Sequence, residues 1–184
     1  TSIEEFFVNI LGNRGYAFAE VTGNTEITED SNLVKLIFSV LPGNRTYTRK
    51  ILFTGNLVTQ DNVLRREMRQ FEGAWSSNNN IEAGKVRLER LGYFKEVNVE
   101  TIPVTGTDDQ IDVVYSVEEE TTGSIGGNIG YSDFGLMLGF NLQEKNFFGT
   151  GNTVGIGINK NIYSEALHIH CHMKLNLYQK TIQH

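Results

Sequence analysis

The sequence predicts a small α+β unit of β-α-α-β-β order, followed by antiparallel β-strands of the kind that open a transmembrane barrel. Three observations lead there. Residues 34–40 recur in kind at 111–117. Helical spacing of apolar residues interrupts strand-type alternation between 46 and 117. After residue 123 apolar side chains alternate with glycines and polar ones over most of the remaining chain.

Composition bounds the possibilities. A chain of 184 residues that is 39% hydrophobic and 21% charged is too apolar to stay disordered. A single cysteine, Cys171, excludes an intramolecular disulfide framework and a Cys-based zinc cluster. The formal net charge of -6 argues against a nucleic-acid partner, because that affinity comes from cations set against phosphates. No apolar run approaches the roughly 20 residues of a membrane-spanning helix. The start, Thr1-Ser2-Ile3-Glu4-Glu5, lacks the basic-then-apolar order of a secretory signal. Charge is unevenly spread. Residues 1–120 hold 12 Lys/Arg against 19 Asp/Glu, whereas residues 121–184 hold 4 against 3 and carry 10 of the 19 glycines. The step falls at Glu118-Glu119-Glu120-Thr121-Thr122-Gly123, an acidic run ending in a turn signal.

Before that step lies an internal repeat. Val34-Lys35-Leu36-Ile37-Phe38-Ser39-Val40 aligns with Ile111-Asp112-Val113-Val114-Tyr115-Ser116-Val117, and the same offset carries Arg14-Gly15-Tyr16 onto Leu91-Gly92-Tyr93. Two matches at one offset without a gap imply two copies of one folding unit. Residues 1–40 correspond to the back half of the unit, so the chain is expected to start inside a longer tandem array.

The complete copy reads element by element. Tyr47, Arg49, Ile51 and Phe53 alternate with Thr48, Lys50 and Leu52 and stop at Gly55-Asn56, which predicts a strand over 46–53. Thr59 is placed to cap a helix with Asp61 in its first turn and Val63, Leu64 and Met68 along one stripe. Ile81, Gly84, Leu88 and Leu91 share one face of a second helix. Gly92 follows where a left-handed C-cap is wanted. Val97, Val99 and Thr101 alternate with Glu96, Asn98 and Glu100 in a half-buried strand. A turn at Thr105-Gly106-Thr107-Asp108-Asp109 leads into a last strand over Ile111–Val117. Both helices are expected on one face of the three-stranded sheet.

The run Leu64-Arg65-Arg66-Glu67-Met68-Arg69-Gln70-Phe71-Glu72-Gly73-Ala74-Trp75, with Arg90-Leu91-Gly92-Tyr93-Phe94 and Asp112-Val113-Val114-Tyr115, closely resembles the last POTRA domain of the BamA family, the central subunits of the outer-membrane β-barrel assembly machinery. Leu11-Gly12-Asn13-Arg14-Gly15-Tyr16-Ala17-Phe18 and Pro42-Gly43-Asn44-Arg45 resemble the back half of the preceding POTRA domain. Gly123 to about Lys160 resemble the first strands of the family's barrel, through Gly149-Thr150-Gly151-Asn152-Thr153-Val154-Gly155-Ile156. The expected organisation is 1–44, half a POTRA domain; 45–120, a complete one; 121–163, the opening strands of an incomplete barrel; and 164–184, a divergent tail outside the family pattern on a truncated chain.

The residues after 123 carry the same expectation physically. Ile125, Ile129 and Tyr131 face one way, and Ser124, Gly126, Asn128 and Gly130 the other. Leu136, Leu138, Phe140 and Leu142 alternate with Gly135, Met137, Gly139, Asn141 and Gln143. Apolar out and small or polar in is the dyad of a barrel strand, although a soluble sheet with one covered face reads the same way by periodicity alone. Asn146 to Gly151 supply turn residues and two aromatics suited to a membrane interface. Val154, Ile156 and Ile158 continue the alternation. Four strands cannot close a barrel, so open edges invite self-association.

Candidate sites are few. His168, His170 and His172 project from one strand face at intervals of about 7 Å, a spacing able to hold Zn, Ni or Cu. With no acidic partner nearby, a polar face in a divergent tail is the favoured reading, and no cofactor is expected. GxGxxG is left incomplete at Gly149-Thr150-Gly151, and neither GK[ST] nor GxSxG occurs, so catalysis is not expected. Arg65, Arg66 and Arg69 interleave with Glu67 and Glu72 on one predicted helix, which reads as a solvated or protein-binding face. Trp75 reads as a hydrophobic plug at that helix's end, with Gly73 permitting a turn.

The resemblance implies more. Glu72, with Arg65 and Arg69, would belong to the surface that meets the lipoprotein BamD, among the other lipoproteins of the machinery. Gly123-Ser124-Ile125-Gly126-Gly127-Asn128-Ile129-Gly130-Tyr131 would be the first barrel strand, at the seam where clients are templated. The expected function is non-enzymatic: β-augmentation of unfolded outer-membrane proteins for folding and insertion, with POTRA domains in the periplasm and strands in the bilayer of the Gram-negative outer membrane. A POTRA-containing translocator of the two-partner secretion type is the alternative, and a soluble tandem-domain adaptor a third reading.

Overall fold

The computed structural model describes residues 3–27, 34–132, 135–161 and 167–175. It divides into two compact units, one with the bounds Thr1–Thr54, Glu67–Arg87 and Val97–Ser116, the other Gly55–Arg66, Leu88–Glu96 and Val117–His184.

The partial copy of the repeat comprises α1 (Ile3–Gly12), β1 (Glu20–Ile27) and β2 (Val34–Leu41). The two strands pair antiparallel from Glu20↔Leu41 to Ile27↔Val34. Gly15, beyond the end of α1, has φ +98°. Its repeat mate Gly92 has φ +66°, so both copies leave the helix through a left-handed glycine, as expected from Gly92. Among the described residues the first pair of strands has no third strand beside it. Val34 and Leu36 are accordingly 61% and 55% exposed, while their mates Ile111 and Val113 are fully buried.

The complete copy comprises β3 (Tyr47–Thr54), α2 (Asp61–Arg65), α3 (Asn78–Arg90), β4 (Phe94–Pro103) and β5 (Gln110–Glu119). Its sheet has the order β3-β5-β4, with β3 parallel to β5. The last strand is therefore central and the most apolar in its inward set: Ile111, Val113, Tyr115 and Val117 are all buried. Tyr115 donates its hydroxyl to the Ile81 carbonyl of α3 at 2.8 Å, which satisfies the phenol in the core. Burial pushes that phenol well above its ordinary pKa, with Glu82 acting in the same direction.

Two expectations about the first helix need correction. It ends at Arg65, so Glu67, Arg69 and Glu72 do not share a helix with Arg65; buried Met68 also lies beyond it. Gln60, not Thr59, occupies the N-cap, in extended conformation and without a side-chain cap. Thr59 is occupied elsewhere: its N–H donates to Glu119 at 2.6 Å and its hydroxyl accepts from Asn146 at 2.9 Å.

The remaining strands, β6 (Gly123–Ser132), β7 (Gly135–Glu144), β8 (Thr153–Asn161) and β9 (Leu167–Lys174), form an antiparallel sheet in chain order. A single 3-10 turn over Phe147–Gly149 joins β7 to β8. Register puts like beside like: Ile125 faces Leu142, Ile129 faces Leu138 and Tyr131 faces Leu136; Phe140 and Leu142 then face Ile158 and Ile156. The apolar side is uncovered, with Ile125, Ile129 and Tyr131 each more than 70% exposed. The histidine-bearing stretch continues this sheet as β9, from Lys160↔Leu167 to Thr153↔Lys174. Ser164 to Ala166 and the chain beyond Leu175 lie outside the described residues.

Candidate partner and strand-templating surfaces

In the first unit, the segment after α2 folds back along the outer side of edge strand β3. Gly73 donates to Thr48 O at 2.7 Å, Thr48 N to Ala74 O at 3.0 Å and Ser76 N to Thr46 O at 2.9 Å. Glu72 completes the row with its side chain: Oε1 accepts the Ile51 N–H at 2.8 Å. Gly73 makes the required turn at φ +79°. Trp75 is not a plug at a helix end. It bridges to Tyr47, stacks on the Tyr47 ring at 3.9 Å and carries the Arg45 guanidinium at 3.8 Å, while remaining 40% exposed. Gln70, 1% exposed, fixes this bend by donating to Trp75 O at 2.9 Å and accepting from Ser77 N. With β3 covered in this way, β4 is the other edge strand of the sheet.

Glu72 and Arg69 are thus exposed residues of the first unit. Arg65 belongs to the second unit, where its Nε donates to Asp61 Oδ2 at 2.6 Å, one helical turn back. An exposed pair of this kind holds side-chain geometry more than it stabilises.

In the second unit, Gly123 to Tyr131 form β6 at one edge of the four-stranded sheet. An edge strand leaves main-chain donors and acceptors outward, and four glycines in nine residues reduce the side-chain packing that resists exchange.

On β9 the imidazoles lie over glycines of β8. His172 pairs with Gly155 and His170 with Gly157, and a Cβ on either glycine would meet the facing ring at 2.3 Å. The His170 and His172 rings stack with centroids 6.4 Å apart. Among the described residues no three His, Cys, Asp or Glu side chains gather into a group able to hold a metal ion.

One polar cluster has no local signal in the sequence. In the second unit Asn146, 7% exposed, donates to Thr59 Oγ1 at 2.9 Å and accepts from Gly151 N at 2.8 Å. Glu119 accepts the N–H groups of Val58 and Thr59 at 2.8 and 2.6 Å. Burial raises the Glu119 pKa, but hydrogen bonds from Thr59 and from the Val58 and Leu57 backbone outweigh it and hold the carboxyl below its ordinary range. Tyr93 donates to Gly151 O at 3.2 Å. Only the excess of asparagine, glycine and aromatics at 146–151 marked this turn in advance.

The POTRA family, described as surface antigen variable number repeat, matches residues 46–120. The outer membrane protein assembly factor BamA of Neisseria meningitidis is 34% identical over 80% of this chain and 19% of its own length. BamA of Buchnera aphidicola is 36% identical over 86% of this chain and 26% of its own. The chain therefore spans about a fifth to a quarter of these curated relatives. The crystal structure of BamA from Haemophilus ducreyi lacking POTRA domains 1–3 superposes with a TM-score of 0.80 at 43% identity, covering 86% of this chain and 30% of that one. Residues 46–120 thus belong to the POTRA family, and through them and the antiparallel strands that follow the chain is similar, over 80–86% of its length, to a part of the BamA outer membrane protein assembly factors.

Proposed function

We propose that this chain carries the client-receiving and strand-templating part of an outer-membrane β-barrel assembly factor. In this reading residues 1–44 are the back half of one POTRA domain, 45–120 a whole one, both in the periplasm, and residues from 121 begin the barrel in the outer membrane. Unfolded outer-membrane proteins present strands. A strand-accepting edge takes such a client by main-chain hydrogen bonds without demanding one sequence. On the POTRA sheet the accepting edge is β4, because Glu72 to Ser76 already occupy the outer side of β3. Lipoproteins of the machinery, BamD among them, dock on the surface bearing Glu72 and Arg69, and on Arg65, where a partner's guanidinium or carboxylate forms charge-assisted pairs.

The observation that carries the reading is β6: a glycine-rich edge strand whose apolar side chains stand uncovered in register with those of β7. Disulfide trapping in the full-length protein tests it. Ser124→Cys and Asn128→Cys should capture a stalled client bearing single cysteines along its strands. Asn141→Cys, on interior strand β7, should not. Equal capture from both strands, or none from β6, would reject the templating role.

A further inference from the structure

The second unit holds a closed ring of hydrogen bonds around the connector between β5 and β6. Glu119, at the end of β5, accepts from Val58 N and Thr59 N. The Thr59 hydroxyl accepts from Asn146 Nδ2 at 2.9 Å. The Asn146 N–H donates to Glu144 Oε1 at 3.2 Å, and the same oxygen accepts from the Thr122 hydroxyl. Thr122 and Glu119 are three residues apart in the chain, so the covalent backbone closes the ring. It borders a cavity of about 500 Å³ lined by Tyr93, Glu120, Thr121, Phe147 and others.

Every side chain in this ring has a directed partner, and its two innermost members are nearly inaccessible: Thr59 is 2% and Asn146 7% exposed. Around it the β7–β8 turn approaches the loop before α2 backbone to backbone. Gln60 N donates to Gly149 O at 2.9 Å. A Cβ on Gly149 would meet the Val58 carbonyl oxygen at 1.9 Å, so only glycine allows the approach. Phe148 sits at φ +51° within the turn, a left-handed conformation that residues with a side chain rarely adopt and that the surrounding bonds must hold. Satisfied, buried polar networks of this kind fix one geometry where an apolar contact would permit several.

We propose that Thr59 and Asn146 are positioning residues for strand β6: their hydrogen bond pins the β7–β8 turn to the loop 56–60 and holds the Glu120–Thr122 connector. The Gly123 end of β6 is thereby fixed. The purpose of the pin rests on the function proposed above. The pin itself does not.

Spin labels at Glu89→Cys on α3 and Lys160→Cys on β8, both exposed, in the full-length protein on a background free of other cysteines, read the joint directly by pulsed dipolar distances. Thr59→Val removes only the hydroxyl and should widen the distance distribution at least twofold. Asn146→Ala should widen it equally, the double variant no further, and Thr59→Ser should restore the original width. Unchanged widths in both single variants would overturn the proposal, as would additive widening in the double variant. The measurement needs no client. Failure of the unaltered protein to assemble clients in proteoliposomes would instead count against the proposed function and leave the distances as they are.

Discussion

One carboxylate oxygen of Glu72 accepts the backbone N–H of Ile51 at 2.8 Å, standing in for the strand carbonyl that edge strand β3 lacks at that point. Glu72 therefore has a structural duty beside any partner contact, and the two are separable. Glu72→Gln keeps an acceptor for Ile51 and loses the charge. Glu72→Lys loses both, leaving a donor on a residue only 3% exposed without its acceptor, at a cost of about 1–3 kcal/mol. Urea melts followed by Trp75, the only tryptophan, should find the Gln variant within about 0.5 kcal/mol of the parent and the Lys variant clearly weakened. Binding of the lipoprotein partner proposed above should fall in both. A Gln variant that binds normally would remove the charge of Glu72 from the docking surface.

Gly84 lies inside α3, where alanine would be better by about 1 kcal/mol on helix propensity alone. Packing reverses the sign. A Cβ there would meet Tyr115 Oη at 2.7 Å and Met68 Sδ at 3.3 Å, and Tyr115 is held by its bond to Ile81 O. Overpacking of this kind costs about 1–3 kcal/mol, so Gly84→Ala should be net destabilising. Removing the hydroxyl with Tyr115→Phe should recover part of that loss in a double-mutant cycle. Simple additivity would show that the clash is relieved elsewhere.

How far such features could be read in advance depends on their range along the chain. The left-handed exit at Gly92, the strand over Ile111–Val117 and the apolar alternation along β6 and β7 all follow from local spacing and are legible in the sequence, while the same exit at Gly15 and the register between β6 and β7 are added by the structure. The length of α2 is not legible there. Apolar spacing over Val63, Leu64 and Met68 fits a longer helix, but the bend fixed by buried Gln70 turns the chain back onto β3 before Met68 can join it. The Thr59–Asn146 bond joins residues far apart in sequence, and single residues carry no periodicity to announce such a pairing. For the same reason the local sequence points Thr59 to a helix cap, the commonest local use of its hydroxyl.

Acid should loosen the loop before α2. Glu119 titrates below its ordinary value of 4.5 because it is hydrogen-bonded in its charged form by Thr59, Val58 and Leu57, against an opposing contribution from burial. A carboxyl with a depressed folded pKa binds protons more readily when unfolded, so its contribution is fully present above the unfolded pKa. It is lost as pH falls through the folded value. Stability should thus be insensitive to Glu119 at neutral pH and decline below about pH 4.5, and Glu119→Gln should flatten that acid limb in melts run across pH. An acid limb of unchanged steepness in the Gln variant would assign it to other carboxylates.

Neighbouring positions on β6 give a direct test of which side meets lipid. Ile129 stands opposite Leu138, and Asn128 opposite Gly139; consecutive strand residues point to opposite faces. If the Ile129 side is immersed, Ile129→Arg carries a charge into hydrocarbon, at about 2–4 kcal/mol near the midplane and less toward the interface. Asn128→Arg places the same charge on the polar side, where water or a pore receives it. In the full-length protein folded into bilayers, the Ile129 variant should lose stability or folding yield, while the Asn128 variant should stay close to the parent. The Asn128 and Asn159 side chains already lie over the facing Gly139, so Asn128→Met, long but uncharged, separates crowding from charge on that side. Equal penalties at both positions would mean that the exposed apolar side of this sheet is covered by protein, and the lipid-facing assignment would fall with it.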